Sequence, residues 1–189
     1  MNLANKLTIM RAIAVPFFVF FLLSDVCGAA GDLIALAIFI IAAFTDLFDG
    51  KLARKYGMVT NFGKFMDPLA DKLLVCSALI CLVYLGRLQP WIAIIIIARE
   101  FIISGLRMVA SEQGIVIAAS WWGKIKTVIQ MVMIGFLIGY VQKPVVIGSL
   151  KIPFFTVTTE ILVWTALALT LISLADYIWK NRQVLQNVD

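Results

Sequence analysis

Six long apolar runs constrain the fold of this chain more than any other feature. They cover residues 8–24, 33–50, 68–86, 91–110, 125–142 and 155–179, and each is long enough to cross the roughly 30 Å hydrocarbon core of a bilayer. Hydrophobic residues make up 62% of the 189 positions, whereas soluble domains average about 45–50%. A soluble globule of this size cannot bury so much apolar surface. The sequence therefore predicts an all-α, polytopic integral membrane protein with six transmembrane helices and one domain over residues 1–189.

The distribution of positive charge predicts the orientation in the membrane. Three basic residues lie in the connections on one side of the predicted helices: Arg87, Lys143 and Lys151. Eleven belong to the other side: Lys6, Arg11, Lys51, Arg54, Lys55, Lys64, Arg107, Lys124, Lys126, Lys180 and Arg182. Because positively charged connections stay in the cytoplasm, both termini are expected to be cytoplasmic.

Composition also limits the chemistry. The chain has no histidine and three cysteines, Cys27, Cys76 and Cys81, which have neither the spacing of a zinc site nor that of a disulfide framework. Any metal is therefore expected to be a hard divalent ion held by oxygen ligands, such as Mg²⁺ or Mn²⁺. The net charge of +5 suits anionic lipids and phosphates, and nothing indicates a nucleic-acid polymer as partner.

Four acidic residues are concentrated where two predicted helices end and begin. Asp46, Asp49, Asp67 and Asp71 lie within 26 residues. A carboxylate near hydrocarbon is costly, about 2–3 kcal/mol at full depth, so such residues indicate a functional site by default. Four together also repel one another, which predicts bound cations.

Helical geometry places the first two aspartates beside a strip of small residues. At about 100° per residue, Asp46 and Asp49 lie about 60° apart on one face. Gly50 and Ala53 fall on the same stripe, so no bulky side chain adjoins the carboxylates.

The second pair is expected at the start of the next helix. Asp67 and Asp71 are one turn apart, and Gly63 extends their stripe if the helix reaches back that far. Pro68 suits the first turn of a helix, where its missing N–H costs nothing. Two helices joined by a turn around residues 55–61 can thus face two acid pairs toward each other and hold two divalent cations.

Two alternatives assign these acids a structural role. The helix dipole favours acids at a helix N-terminus, which would account for Asp67 and Asp71 but not for Asp46 and Asp49 near a C-terminus. Ion pairs with Lys51, Arg54 or Lys64 are the other alternative.

The spacing of these residues carries a family resemblance. Residues 46–71 contain the complete pattern D-x-x-D-G-x-x-A-R-x₈-G-x₃-D-x₃-D, which resembles the signature of the CDP-alcohol phosphotransferases. The resemblance implies that Asp46, Asp49, Asp67 and Asp71 bind two divalent cations and that Asp71 is the general base. It also implies a cytidine-diphosphate site formed by Asp46, Asp49, Gly50, Ala53, Arg54 and Gly63.

Shorter stretches resemble the branch of that family that uses glycerol 3-phosphate. They begin at Asn5, Ala98, Ser104 and Gly123. The implied reaction transfers the phosphatidyl group of CDP-diacylglycerol to glycerol 3-phosphate and releases CMP. It is expected at the cytoplasmic face of a bacterial cell membrane. Members of the family are commonly homodimers, and a homodimer is expected here as well.

A phosphorylated acceptor needs a second basic site. Candidates at the cytoplasmic level are Arg11, Arg107, Lys124 and Lys126. Each also has a structural interpretation, because Arg11 can extend to the interface from an apolar run and the other three suit positively charged cytoplasmic connections.

Other functions remain as alternatives. The acceptor can instead be inositol phosphate, serine or another phospholipid, since the aspartate pattern serves all of them. A cation transporter would be expected to spread its acids through the membrane and often to show repeated halves, and neither feature appears. A prenyltransferase would bind diphosphate through paired aspartates but gives no reason for the spacing of Gly50, Ala53 and Gly63.

Overall fold

The computed structural model describes residues 3–55, 61–112, 117, 120–139, 145–147, 150–152 and 154–182. Side chains are described for residues 9–24, 26–28, 30–45, 69, 72–111, 117, 120–139 and 155–182.

All six predicted helices are present in the described part of the chain, which confirms the all-α class. They are α1 (Leu3–Leu23), α2 (Ala29–Lys55), α3 (Asn61–Tyr84), α4 (Pro90–Glu112), α5 (Trp121–Ile138) and α6 (Phe154–Lys180). A short 3-10 turn over Asp25–Cys27 joins the first two.

A small hairpin precedes α6, in a region expected only as a connection. Strands β1 (Val145–Ile147) and β2 (Leu150–Ile152) pair antiparallel, with Val146 opposite Lys151. Their β-branched residues suit strands, but three-residue strands are too short to give a periodic signal along the sequence.

The helix bounds differ from the apolar runs by several residues at most ends, and the largest difference at a helix start is at α3. Helix α3 begins at Asn61, seven residues before the run at 68–86, so the expectation that Pro68 occupies the first turn is wrong. Helix α5 covers Trp121–Ile138 rather than 125–142. A hydropathy pattern identifies only the apolar part of a helix. The polar turns that extend the helix beyond that part give no hydropathy signal.

The chain divides into two compact units, the first formed by residues 1–88 with 137–139. Within it, α1 packs against both α2 and α3. The rings of Phe18 on α1 and Phe39 on α2 lie 6.1 Å apart between centroids, and Leu79 and Leu82 of α3 are fully buried. Close packing of these apolar side chains holds the three helices together.

Helix α3 ends in a glycine cap. Gly86 has φ of 68°, which glycine adopts without steric cost. Its N–H donates to the carbonyl of Val83, and the N–H of Arg87 donates to the carbonyl of Leu82. This Schellman pattern satisfies the last carbonyls of α3 and fixes the backbone position of Arg87 just after the helix.

The second unit is formed by residues 89–136 with 140–189, of which the described part contains α4, most of α5, the hairpin and α6. Helix α4 packs against α6, and the rings of Trp91 and Trp164 lie 6.0 Å apart. Its buried residues include Ile96, Ile134 and Ala166. Pro90 begins α4, where its fixed φ suits a helix start.

Every helix keeps large apolar side chains on its outer surface. Examples, one from each helix in order, are Phe17, Leu33, Ile80, Ile94, Val128 and Ile161, all more than half exposed. Among the described residues, Trp121–Ile138 and Phe155–Lys180 are each long and apolar enough to span a membrane. Shorter apolar stretches occur in α1, α2 and α3. This surface suits a membrane protein, whose outer apolar side chains contact lipid.

Candidate active site

The residues of the aspartate pattern lie on two neighbouring helices of the first unit. Helix α2 carries Asp46, Asp49, Gly50, Ala53 and Arg54 toward its C-terminal end, and α3 carries Gly63, Asp67 and Asp71 toward its N-terminal end. The two helices contact each other. The side chains of these eight residues, and the turn at 56–60, lie outside the described residues, so their predicted roles stay predictions.

The bounds of α3 nevertheless bear on the structural alternative. Six helical residues precede Asp67, and the first turn of α3 contains no acid. The effect of the helix dipole falls off within the first turn, so it does not explain Asp67 or Asp71. The same bounds place Gly63 inside the helix, one turn before Asp67, as its predicted stripe requires.

The donor set on α2 and α3 fits a hard divalent metal. It consists of carboxylates alone, two on each of two helices in contact, and oxygen ligands of this kind suit Mg²⁺ and Mn²⁺. Among the described side chains, no group of three or more histidines, cysteines or acids is close enough to hold a metal ion. The four aspartates are not among those side chains.

The predicted acceptor cations have different environments. In the first unit, Arg11 is only 3% exposed. In the second unit, Arg107 is exposed, with its Cζ 5.6 Å from the centroid of the Tyr177 ring, and Lys124 is exposed on the first turn of α5. Lys126, two residues later, is completely buried. Only Arg107 and Lys124 thus present an exposed charge.

A polar cluster lies in the apolar interior of the second unit. The ammonium of Lys126 on α5 forms an ion pair with Oε1 of Glu100 on α4, and Nη1 of Arg99 lies 3.5 Å from the same oxygen. Nε of Arg99 donates to Oγ of Ser173 on α6, at 3.2 Å. Three helices therefore contribute to one cluster. A buried charge is costly unless it is paired and hydrogen-bonded, which accounts for the ion pairs and hydrogen bonds within this cluster.

The start of α5 is tied to the end of α6. Oγ of Ser120 donates to Oδ2 of Asp176 at 2.5 Å, and Nζ of Lys180 lies 2.7 Å from Oδ1 of the same carboxylate. The N–H of Lys124 donates to the carbonyl of Ser120 at 3.2 Å. These contacts fix the first turn of α5, which carries Gly123 and Lys124.

Sequence reasoning selected the four acceptor cations but not the side chains that surround Lys126. It identified Lys126 as an acceptor ligand and did not assign a role to Ser173. Ser173 lies in an apolar run with no motif around it, and no signal in the sequence relates it to Arg99, 74 residues away.

The chain is similar to known proteins over nearly its whole length. The model of the CDP-alcohol phosphatidyltransferase family matches residues 1–175. A CDP-diacylglycerol–glycerol-3-phosphate 3-phosphatidyltransferase of Bacillus subtilis is 38% identical over 98% of this chain and 97% of its own length. A probable phosphatidylglycerophosphate synthase of Mycobacterium tuberculosis is 41% identical over 94% of this chain and 80% of its own length. A relative in Haemophilus influenzae with the same name as the Bacillus protein is 40% identical over 94% and 91%.

Proposed function

The chain belongs to the CDP-alcohol phosphatidyltransferase family, and from this premise we propose that it is the enzyme that joins CDP-diacylglycerol to glycerol 3-phosphate. The products are phosphatidylglycerophosphate and CMP. The observation that carries the proposal is the set of relatives named for this reaction, whose similarity extends over 93–98% of the chain.

In this reaction a free hydroxyl of glycerol 3-phosphate attacks the phosphorus that bears diacylglycerol. A new P–O bond forms, the P–O bond to CMP breaks, and the hydroxyl proton goes to a base. We assign that base to the carboxylate of Asp71. Its place on α3, one turn from Asp67, supports the assignment.

Asp46, Asp49, Asp67 and Asp71 would hold two divalent cations, Mg²⁺ or Mn²⁺. When bound, such ions neutralise the charge on the diphosphate and on the departing CMP. The all-carboxylate donor set on two helices in contact supports this assignment.

The cytidine diphosphate is assigned to α2 and the start of α3. Gly50, Ala53 and Gly63 leave room for it, because they have no side chain larger than a methyl group. Arg54 can donate charge-assisted hydrogen bonds to a phosphate oxygen. Asp46 and Asp49 complete this predicted site.

The phosphate of the acceptor is assigned to Arg11, Arg107, Lys124 and Lys126. The exposed charges of Arg107 and Lys124 suit direct contact with a soluble anion. Lys126 and Arg11 are buried. They would attract the phosphate through the positive electrostatic potential that they create, or would bind it directly after their side chains change conformation.

The proposed setting is a bacterial cell membrane, crossed six times, with both termini and the active site at the cytoplasmic face. Two apolar helices long enough to span, the exposed apolar surfaces of all six and bacterial relatives support it. A homodimer is part of the proposal as a family expectation.

The test is CMP release by purified protein from CDP-diacylglycerol and glycerol 3-phosphate, with Mg²⁺ or Mn²⁺. Asp71→Asn is expected to lower the rate about 10²–10⁴-fold, the usual contribution of a general base. Glu160→Gln, which neutralises an exposed acid on α6, is the matched control and should leave the rate unchanged. Metal-independent release, or an Asp71→Asn variant as active as the control, would contradict the proposal.

A further inference from the structure

The exposed face of α6 changes in chemistry toward the end of the helix. Leu171, Ile172 and Ile178 are 38–49% exposed, and at about 100° per residue they lie on one side of the helix. Trp179 lies on the same side and is 75% exposed. Arg182 is exposed two residues beyond the end of α6. The exposed groups are therefore aliphatic, then aromatic, then cationic.

The guanidinium of Arg182 lies against the indole of Trp179. Its Cζ is 5.6 Å from the centroid of that ring, which is the range of a cation–π contact. Such a contact orients the guanidinium but does not neutralise its charge. No acid in the described part of the chain forms an ion pair with Arg182. Its charge and its planar set of N–H donors can therefore meet an anion from outside the protein.

Lys180, the other described cation at this end of α6, has an acidic partner. Its Nζ lies 2.7 Å from Oδ1 of Asp176, and Oδ2 of that carboxylate accepts a hydrogen bond from Oγ of Ser120. Lys180 thus belongs to the contacts that join α6 to the start of α5. Arg182 differs from it because its described contact is with a ring and not with an acid.

The order of groups along α6 matches the order of groups in a phospholipid of a bilayer. Helix α6 is long and apolar enough to span a membrane, and aliphatic side chains suit the acyl chains. Indole rings favour the interface between hydrocarbon and headgroups, where Trp179 would lie. Arg182 would lie about 4.5 Å further along the axis, toward the level of the phosphates. A cation there attracts an anionic headgroup by about fivefold, whereas the ammonium of a zwitterionic headgroup offsets this attraction.

We propose that Arg182 and Trp179 form a binding site for an anionic phospholipid of the surrounding bilayer. The phosphate of the lipid accepts hydrogen bonds from the guanidinium, and its acyl chains lie along the exposed apolar side chains of α6. The site is independent of the proposed reaction, since neither residue belongs to the assigned active site.

The test is quenching of tryptophan fluorescence by brominated lipids in reconstituted vesicles. The signal of Trp179 is the difference between the wild-type protein and Trp179→Phe, and the same difference is taken in each Arg182 variant. In phosphatidylcholine vesicles, brominated phosphatidylglycerol should replace lipid at Trp179 about five times more readily than brominated phosphatidylcholine does. Arg182→Gln should remove this preference, and Arg182→Lys, which keeps the charge, should retain most of it.

Trp164 is the matched control position. It is 58% exposed on the same side of α6, about 22 Å from Trp179 along the axis, and its described ring contact is with Trp91 rather than with a cation. Its signal, obtained with Trp164→Phe, should be quenched equally by the two lipids. An equal preference for the anionic lipid at Trp164 and Trp179 would overturn the site, because the preference would then belong to the whole protein surface.

Thermal midpoints in phosphatidylcholine vesicles separate lipid binding from folding. The substituted side chains are exposed, so every variant should keep a midpoint close to that of the wild-type protein. Equal quenching of Trp179 by the two lipids in folded wild-type protein would overturn the proposal. A preference for the anionic lipid that persists in Arg182→Gln would overturn it as well.

Discussion

The two units of the chain each contain a cluster of charged side chains, and the clusters differ in how many of the described cations contact each acid. In the first unit, Nη2 of Arg87 lies 2.7 Å from Oδ2 of Asp32. Nη1 donates to the carbonyls of Leu137 and Ile138, at 3.3 and 2.9 Å. One cation thus meets one acid and the negative end of helix α5.

In the second unit, two cations contact the same acid. Arg99 and Lys126 both contact Oε1 of Glu100, and the additional partner of Arg99, Ser173, is neutral. Both cations are also more deeply buried than Arg87, whose side chain is 18% exposed.

We interpret the first cluster as structural and the second as part of the proposed acceptor site. Arg87 satisfies the carbonyls at the end of a helix, which otherwise lack donors, and its guanidinium contacts Asp32, so we expect it to stabilise the fold. In the second cluster Lys126 and Arg99 both contact Glu100, and two cations at one place would favour a bound anion.

The largest expected effect comes from breaking the cluster of the second unit at Glu100. Glu100→Gln removes the carboxylate that Arg99 and the fully buried Lys126 both contact, and breaking a buried pair costs about 3–5 kcal/mol. The thermal midpoint should fall strongly, as measured by unfolding of the purified protein in detergent.

The double variant Glu100→Gln/Lys126→Met supplies the control for this prediction. It also removes the buried ammonium, so the part of the lost stability that comes from separating Lys126 from Glu100 should return. The KM for glycerol 3-phosphate should be raised, because a cation has been lost. A double variant as unstable as Glu100→Gln would show that the charge of Lys126 is not the cause.

Breaking the cluster of the first unit should give a smaller effect of a different kind. Arg87→Met removes an ion pair and two bonds to helix carbonyls, and the expected loss of stability is about 2–3 kcal/mol. Both Michaelis constants should remain within twofold of the wild-type values. Arg182→Met, at an exposed arginine that stacks on Trp179, is the control and should change stability by less than about 1 kcal/mol. If the KM for glycerol 3-phosphate rises in Arg87→Met, the interpretation of the first cluster as structural and the second as functional is contradicted.

The smallest expected effect is at Tyr177, whose ring lies under the guanidinium of Arg107. Its hydroxyl is buried and makes no hydrogen bond in the described structure. Tyr177→Phe keeps the ring and removes an unsatisfied polar group, so stability should be unchanged or should rise by about 1 kcal/mol. A marked rise in the acceptor KM would instead identify the hydroxyl as a ligand contact and enlarge the functional cluster.

The sequence predicts the number of helices and the position of the aspartate pattern because both depend on local order. Apolar runs identify the centres of α1 to α6, but they do not predict that α3 begins at Asn61, because its first turns are polar. The cluster around Arg99 is different in kind. It joins Arg99, Lys126 and Ser173 from three helices, and no spacing along the chain relates residues that only tertiary packing brings together.

The most direct test of the account is CMP release from CDP-diacylglycerol by folded wild-type protein, with glycerol 3-phosphate, inositol phosphate and serine offered separately with Mg²⁺ or Mn²⁺. Release is expected with glycerol 3-phosphate alone. Release with inositol phosphate or serine instead would keep the family chemistry and contradict the proposed acceptor. Absence of metal-dependent release with all three would contradict the assignment of the reaction itself.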